Sequence, residues 1–82
     1  MENVGTRLKI ARFRSGLSQE EVIERLARRG FAITQVSLSR YENDHREIGL
    51  DLLKQLSLIY GVPVQELIWS REEIEMYSLG GK

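Results

Sequence analysis

Two stretches decide the reading of this chain: Leu17-Ser18-Gln19-Glu20-Glu21-Val22, and further on Ile33-Thr34-Gln35-Val36-Ser37-Leu38-Ser39-Arg40-Tyr41-Glu42-Asn43. Each opens with a helix-start signal. Ser18 followed three residues later by Glu21 is a capping box, in which serine and glutamate each satisfy one of the orphan backbone N–H groups of a first turn. Thr34 is an N-cap for a second helix over about residues 34–43. In the first helix Val22, Ile23, Leu26 and Ala27 recur with helical spacing and form the apolar face. In the second, Leu38 and Tyr41 point inward at i, i+3. Between them Arg28-Arg29-Gly30 closes a helix, with basic side chains near the negative end of its dipole and a glycine just beyond.

The flanking sequence has the same character. Val4, Leu8 and Ala11 form one stripe of a helix over roughly residues 4–14, ended by Ser15-Gly16. Gly49 opens another helix, with Leu50, Leu53, Leu56 and Tyr60 on one side and Gly61 as its stop. Pro63 sits in the first turn of the next, with Val64, Leu67 and Ile68 inward. Ser70-Arg71-Glu72-Glu73 is a second capping box, ahead of Ile74, Met76 and Tyr77, so a short sixth helix is expected there. Gly80-Gly81-Lys82 reads as a loose end. No segment alternates with the period of a strand. The expectation is an all-α, compact five-helix bundle with a short sixth C-terminal helix, divided into a domain over 1–69 and a tail over 70–82.

Composition narrows the function classes. Eighty-two residues suit one domain with a thin core. There is no cysteine, which removes disulfides, thiolate metal sites and cysteine nucleophiles, and which fits a reducing cytoplasm. His45 is the single histidine, so no metal site is expected and His45 reads as a surface-loop residue. No cofactor is expected either. The apolar runs are too short for a membrane span, and the N-terminus lacks the layout of a signal peptide. No paired catalytic carboxylates, nucleophile motif or glycine-rich phosphate loop is present, so an enzyme is not expected. Net charge is zero, with 12 basic and 12 acidic residues. The halves differ: residues 1–48 hold nine Lys/Arg against seven Asp/Glu, and residues 49–82 hold three against five. Any face for a polyanion is therefore local and lies in the first half.

With Leu38 and Tyr41 inward, helical geometry turns Gln35, Val36, Ser39 and Arg40 outward. Glutamine can bond bidentately to adenine and arginine to guanine, and Val36 suits a thymine methyl. By themselves these residues fit a plain solvated face better.

The two stretches together resemble the Cro/repressor (Xre-like) helix-turn-helix family, whose signature runs L-S-Q-E-E-L, then V-S-x-x-x-I-S-R-x-E-N. The segment from Leu56 to Leu67, with Gly61-Val62-Pro63, is similar to that family's fourth and fifth helices. The resemblance covers about residues 6–68. It implies a fold of the phage-repressor DNA-binding type and a sequence-specific transcriptional regulator, a repressor, with helix 34–43 in the major groove. It implies base reading by Gln35, Val36, Ser39 and Arg40. Phosphate contacts are expected from Gln19, which also braces Gln35, and from Thr34, Ser37, Asn43 and Arg46. Arg12 and Glu42 match a structural ion pair. The implied partner is double-stranded DNA with a near-palindromic operator, bound by a homodimer, with a regulatory protein partner as a further expectation. The alternative is a protein–protein interaction module using the helices and the apolar tail, where Trp69, Ile74, Met76 and Tyr77 either close the core or form a dimer seam.

The chain departs from the family pattern at three places. Residues 27–32 lengthen the turn by about five residues, so the helix before it is expected to run an extra turn with Phe31 plugging the core edge. Ile23 occupies a position where a small residue is common. Asp44 stands where glycine is usual. Aspartate tolerates the left-handed conformation, but its charge is unhelpful beside phosphate.

Overall fold

The computed structural model describes residues 3–69 and 71–80. Among them are six helices and no strand: α1 (Val4–Arg14), α2 (Gln19–Arg28), α3 (Gln35–Glu42), α4 (Leu50–Tyr60), α5 (Val64–Ile68) and α6 (Arg71–Gly80). Ser70, the cap of the second capping box, lies outside the described residues, as does the side chain of Tyr77. Gly80, read as part of a loose end, is the last residue of α6.

Caps define where the helices start. Asn3 accepts from the Thr6 N–H to open α1. At α2 both halves of the capping box are made, Glu21 N–H to Ser18 Oγ at 3.1 Å and Ser18 N–H to Glu21 Oε1 at 2.9 Å. Ser37 N–H donates to Thr34 Oγ1 to open α3. These bonds satisfy donors that no helical partner can reach.

The helix ends share one device. After α1, α2 and α3 the chain turns through a left-handed residue and the following N–H returns to the carbonyl five residues back: Leu17 to Arg12, Phe31 to Leu26 and His45 to Arg40. The left-handed residues are Gly16 and Gly30 in the first two cases and Asp44, at φ 58°, in the third. Asp44 is the non-glycine residue in that conformation among those described, and the conformation disfavours a side chain by about 1–2 kcal/mol.

The core is a column of aliphatic side chains from five helices. Leu8, Val22, Leu26, Leu38, Leu56 and Leu67 are essentially inaccessible. Each such side chain contributes about 1.5–3 kcal/mol by leaving water. Around them α1 packs on α3 and α5, α2 on α3 and α4, α4 on α5, and α6 on α5. Phe31 and Ile33, from the lengthened turn over 29–34, pack against the core edge. The turn therefore extends the core.

Three expected core positions are corrected. Ala27 is exposed. Leu50 is 58% exposed, and Leu52 is buried in its place. Ile68 is 42% exposed. The reason is the same each time. At about 100° per residue the α4 stripe centres on Leu53, Leu56 and Tyr60, which leaves Leu50 at its edge in the first turn and brings in Leu52. In α5 the face centres on Leu67. In α2 it centres on Val22 and Leu26.

Candidate nucleic-acid interface

The residues singled out in α2 and α3 converge on one side of the bundle, and their placement follows from what α3 buries. Leu38 enters the core and Glu42 is 2% exposed. Gln35, Val36 and Arg40 therefore face solvent, and Val36, a β-branched apolar residue, is 62% exposed. Ser39 and Ser37 are half-buried at the flanks.

Beneath this face lies a buried charged pair. Arg12 donates from Nε to Glu42 Oε2 at 2.7 Å and from Nη2 to Glu42 Oε1 at 3.1 Å. Its Nη1 donates to the Leu17 carbonyl at 3.1 Å. The pair ties α1 to the end of α3, and the Arg12 bond also fixes the chain entering α2. The hydrogen bond to Glu42 holds the Arg12 guanidinium above its ordinary pKa against the opposing effect of burial. The Tyr60 hydroxyl is buried near these groups without a hydrogen-bond partner among the described residues. Burial first, and then the charge of Glu42, raise its pKa.

A chain of polar bonds leads outward from this pair. Gln19 Nε2 donates to Glu42 Oε1 at 3.1 Å, and Gln35 Nε2 donates to Gln19 Oε1 at 3.2 Å. Arg12, Glu42, Gln19 and Gln35 are thus one connected network. Thr34 and Ser37 are joined to each other, Oγ1 to Oγ at 3.1 Å, at the N-terminal end of α3. Helix N-termini carry exposed N–H groups and a positive dipole end that suit an anion, and both α2 and α3 present theirs on this side.

The loop after α3 is tied back to the helices by its own side chains. Asn43 turns back onto its own helix, with Nδ2 donating to the Ser39 carbonyl at 2.8 Å and to Ser39 Oγ at 3.3 Å. Its Oδ1 accepts from Lys9 Nζ at 3.4 Å. The Arg46 guanidinium lies over the Tyr41 ring, 5.5 Å from its centroid, and the side chain remains exposed. The Asp44 carboxylate is directed at α1, where its Oδ1 accepts from the Gly5 N–H at 3.0 Å. Its negative charge meets the positive end of the α1 dipole. That bond offsets the unfavourable backbone of Asp44 and gives its charge a partner within the protein.

Sequence reasoning missed Gly5, Lys9 and the link between Gln19 and Glu42. A Cβ at Gly5 would lie 2.5–2.7 Å from Asp44 Oδ2 and from the backbone carbonyls of Tyr41 and Glu42. Only glycine lets α1 approach the end of α3 so closely. The available signal was a glycine in a helical first turn, where its backbone entropy is unfavourable unless contact requires it. Arg28 and Arg29 pair with Glu24 and Gln55, so both have partners within the protein.

Two consecutive helices joined by a turn, the second packed on the first and carrying an exposed outer face, define a helix-turn-helix domain. The sequence profile of the helix-turn-helix family matches residues 8–67, and the chain belongs to that family. It is 37% identical over 70 residues to the HTH-type transcriptional regulator ImmR of Bacillus subtilis (strain 168). The match covers 85% of this chain and 51% of ImmR, so the chain spans about half the length of that relative. Among solved structures it is similar to the DNA-binding domain of BldD, with a TM-score of 0.67 and 34% identity over 82% of this chain and 90% of that one. The family and the all-helical fold expected from the two opening stretches are borne out. No described helix is long and apolar enough to cross a membrane.

Proposed function

We propose that this protein binds double-stranded DNA in a sequence-specific way as a transcriptional regulator, with α3 as the recognition helix in the major groove. The observation that carries the reading is the outer face of α3. Gln35, Val36 and Arg40 stand exposed on a helix whose other side is anchored by Leu38 and Glu42. An exposed valine between a glutamine and an arginine is poorly suited to water and well suited to base edges, which offer amide partners, guanine acceptors and thymine methyls. On this reading Gln35, Val36, Ser39 and Arg40 read bases. Gln19, Thr34, Ser37, Asn43 and Arg46 face the phosphates on either side. The relatives support it: ImmR is named as a transcriptional regulator and the BldD domain as DNA-binding.

The finer reading is a repressor acting in the cytoplasm by binding and not by catalysis. Residues 1–69 form the DNA-binding domain, and residues 70–82 form a tail that helps bring two copies together. The exposure of Met76 in that tail supports such a seam. A two-fold dimer would meet half-sites about one DNA turn apart, roughly 34 Å. A regulatory protein partner would act on this dimer.

The test is selection of bound sequences from a random duplex pool at near-physiological salt, with a Gln35→Ala, Arg40→Ala double variant beside the wild type. The expected result is an enriched two-fold motif that the variant loses. Weak, salt-sensitive binding without enrichment would favour a protein-interaction module instead. Light scattering with and without the selected duplex checks the dimer, and a monomer in both would overturn it.

A further inference from the structure

The side-chain amide of Gln19 sits between two partners of different character. Its Nε2 donates to Glu42 Oε1 at 3.1 Å, and its Oε1 accepts from Gln35 Nε2 at 3.2 Å. Glu42 is 2% exposed and already accepts two N–H groups from Arg12. A carboxylate in an ion pair offers acceptors only. The Gln19 amide therefore has one workable orientation. Turned the other way it would set its carbonyl oxygen against the buried Glu42 oxygen, leaving acceptors facing each other with no proton between them.

That constraint propagates outward. With its NH₂ committed to Glu42, Gln19 can show only its oxygen to Gln35, so Gln35 must donate. This consumes one of the two N–H groups of Gln35. Left at the exposed end of α3 are one N–H and one carbonyl oxygen, a donor beside an acceptor. The adenine edge in the major groove presents an N6 donor beside the N7 acceptor, the complementary pair. The guanine edge presents two acceptors, O6 and N7, which this arrangement does not match.

We propose that Glu42, buried behind the recognition helix, is a specificity-determining positioning residue. Acting through Gln19, it sets the donor–acceptor polarity of Gln35 and so selects adenine over guanine at the base pair that Gln35 reads. The proposal rests on the DNA-reading role of α3 argued above. Glu42 touches no base. Its effect is carried by the direction of two hydrogen bonds.

Two variants separate this role from simple support of the fold. Gln19→Met keeps the length of the side chain and leaves the Arg12–Glu42 pair in place, but removes the relay. Glu42→Gln keeps the shape and supplies an amide that can donate, so either orientation of Gln19 becomes workable. Affinities are compared on duplexes carrying A·T or G·C at the pair whose preference Gln35→Ala abolishes. The wild type is expected to prefer adenine by about ten- to a hundredfold, and both variants by about threefold or less. Preference at the pair read by Arg40 should stay as in the wild type. Gln19→Met carries the test if Glu42→Gln fails to fold. A variant that loses affinity uniformly but keeps the wild-type adenine-to-guanine ratio overturns the proposal.

Side-chain amide NMR on the free protein provides an arm without DNA. One Gln35 NH₂ proton should be shifted and slow to exchange, and Gln19→Met should erase that signature. Two equally solvated Gln35 protons in the wild type would overturn the relay itself. A wild type with the signature but without sequence preference would instead overturn the DNA reading, so the two failures are distinguishable.

Discussion

The two ends of α3 are held by different means. At the C-terminal end Glu42 is buried against Arg12, and Asp44 reaches the α1 backbone across a contact that only Gly5 permits. At the N-terminal end Thr34 caps the helix in solvent, and Gln35 is held by one exposed amide bond to Gln19. One end is fixed by desolvated charge and close backbone approach, the other by hydrogen bonds that water can replace. The difference suits a reading helix. Its position on the body of the protein is set once, while the exposed end keeps a free donor and acceptor on Gln35 for a partner.

The contrast can be broken most sharply at the buried end. Arg12→Ala leaves the Glu42 carboxylate buried without its cation, and is expected to destabilise the fold by about 3–5 kcal/mol in denaturant unfolding. A loss below about 1 kcal/mol, the value typical of exposed pairs, would mean that the pair is effectively solvated. Gly5→Ala at the same end should destabilise by about 1–3 kcal/mol, because two of the three atoms its Cβ meets are backbone carbonyls that cannot swing aside. An unchanged melting temperature would show that α1 can withdraw from α3 freely.

At the exposed face the expected effects move from folding to binding. Arg40→Ala should leave stability nearly unchanged and weaken the selected duplex by about 1–3 kcal/mol, with preference relaxed at one position. A uniform loss over all sequences would reassign Arg40 to the phosphates. Thr34→Ala should lower stability by about 1 kcal/mol through loss of the cap, measurable by thermal unfolding. A much larger loss would show that the N-terminal end is held as firmly as the other.

The smallest effect concerns the α2 cap. The Ser18 backbone N–H and then its hydroxyl hold the Glu21 carboxyl below its ordinary pKa. A depressed folded-state pKa stabilises the fold at pH above the unfolded value, and the contribution disappears as pH falls through the folded value. An NMR titration should place the Glu21 midpoint below the ordinary glutamate value. Ser18→Ala removes the hydroxyl but keeps the backbone N–H, so it should move the midpoint only part of the way back, and a midpoint unmoved by that change would leave the shift to the backbone N–H alone.

Legibility along the chain followed the range of the interactions. The capping box at Ser18–Glu21, the Thr34 cap and the glycine turns at Gly16 and Gly30 are short-range devices written in adjacent residues, and they were read with nearly the observed boundaries. The outward set of Gln35, Val36 and Arg40 follows from the helical period with Leu38 inward. The errors at Ala27, Leu50 and Ile68 lie at stripe edges, where periodicity proposes two candidates and only the neighbouring helix chooses between them.

By itself, then, the sequence determined the helices, their caps, the family and the outer face of α3, because each depends on residues within a few positions of one another or on a local pattern. Tertiary structure alone decided that Gly5 must be glycine, that Asp44 serves α1, and that Gln19 also reaches the buried Glu42. Those facts depend on groups 39 and 23 residues apart meeting within hydrogen-bond distance. No local period encodes such a meeting. It exists only once the helices have packed around their shared core.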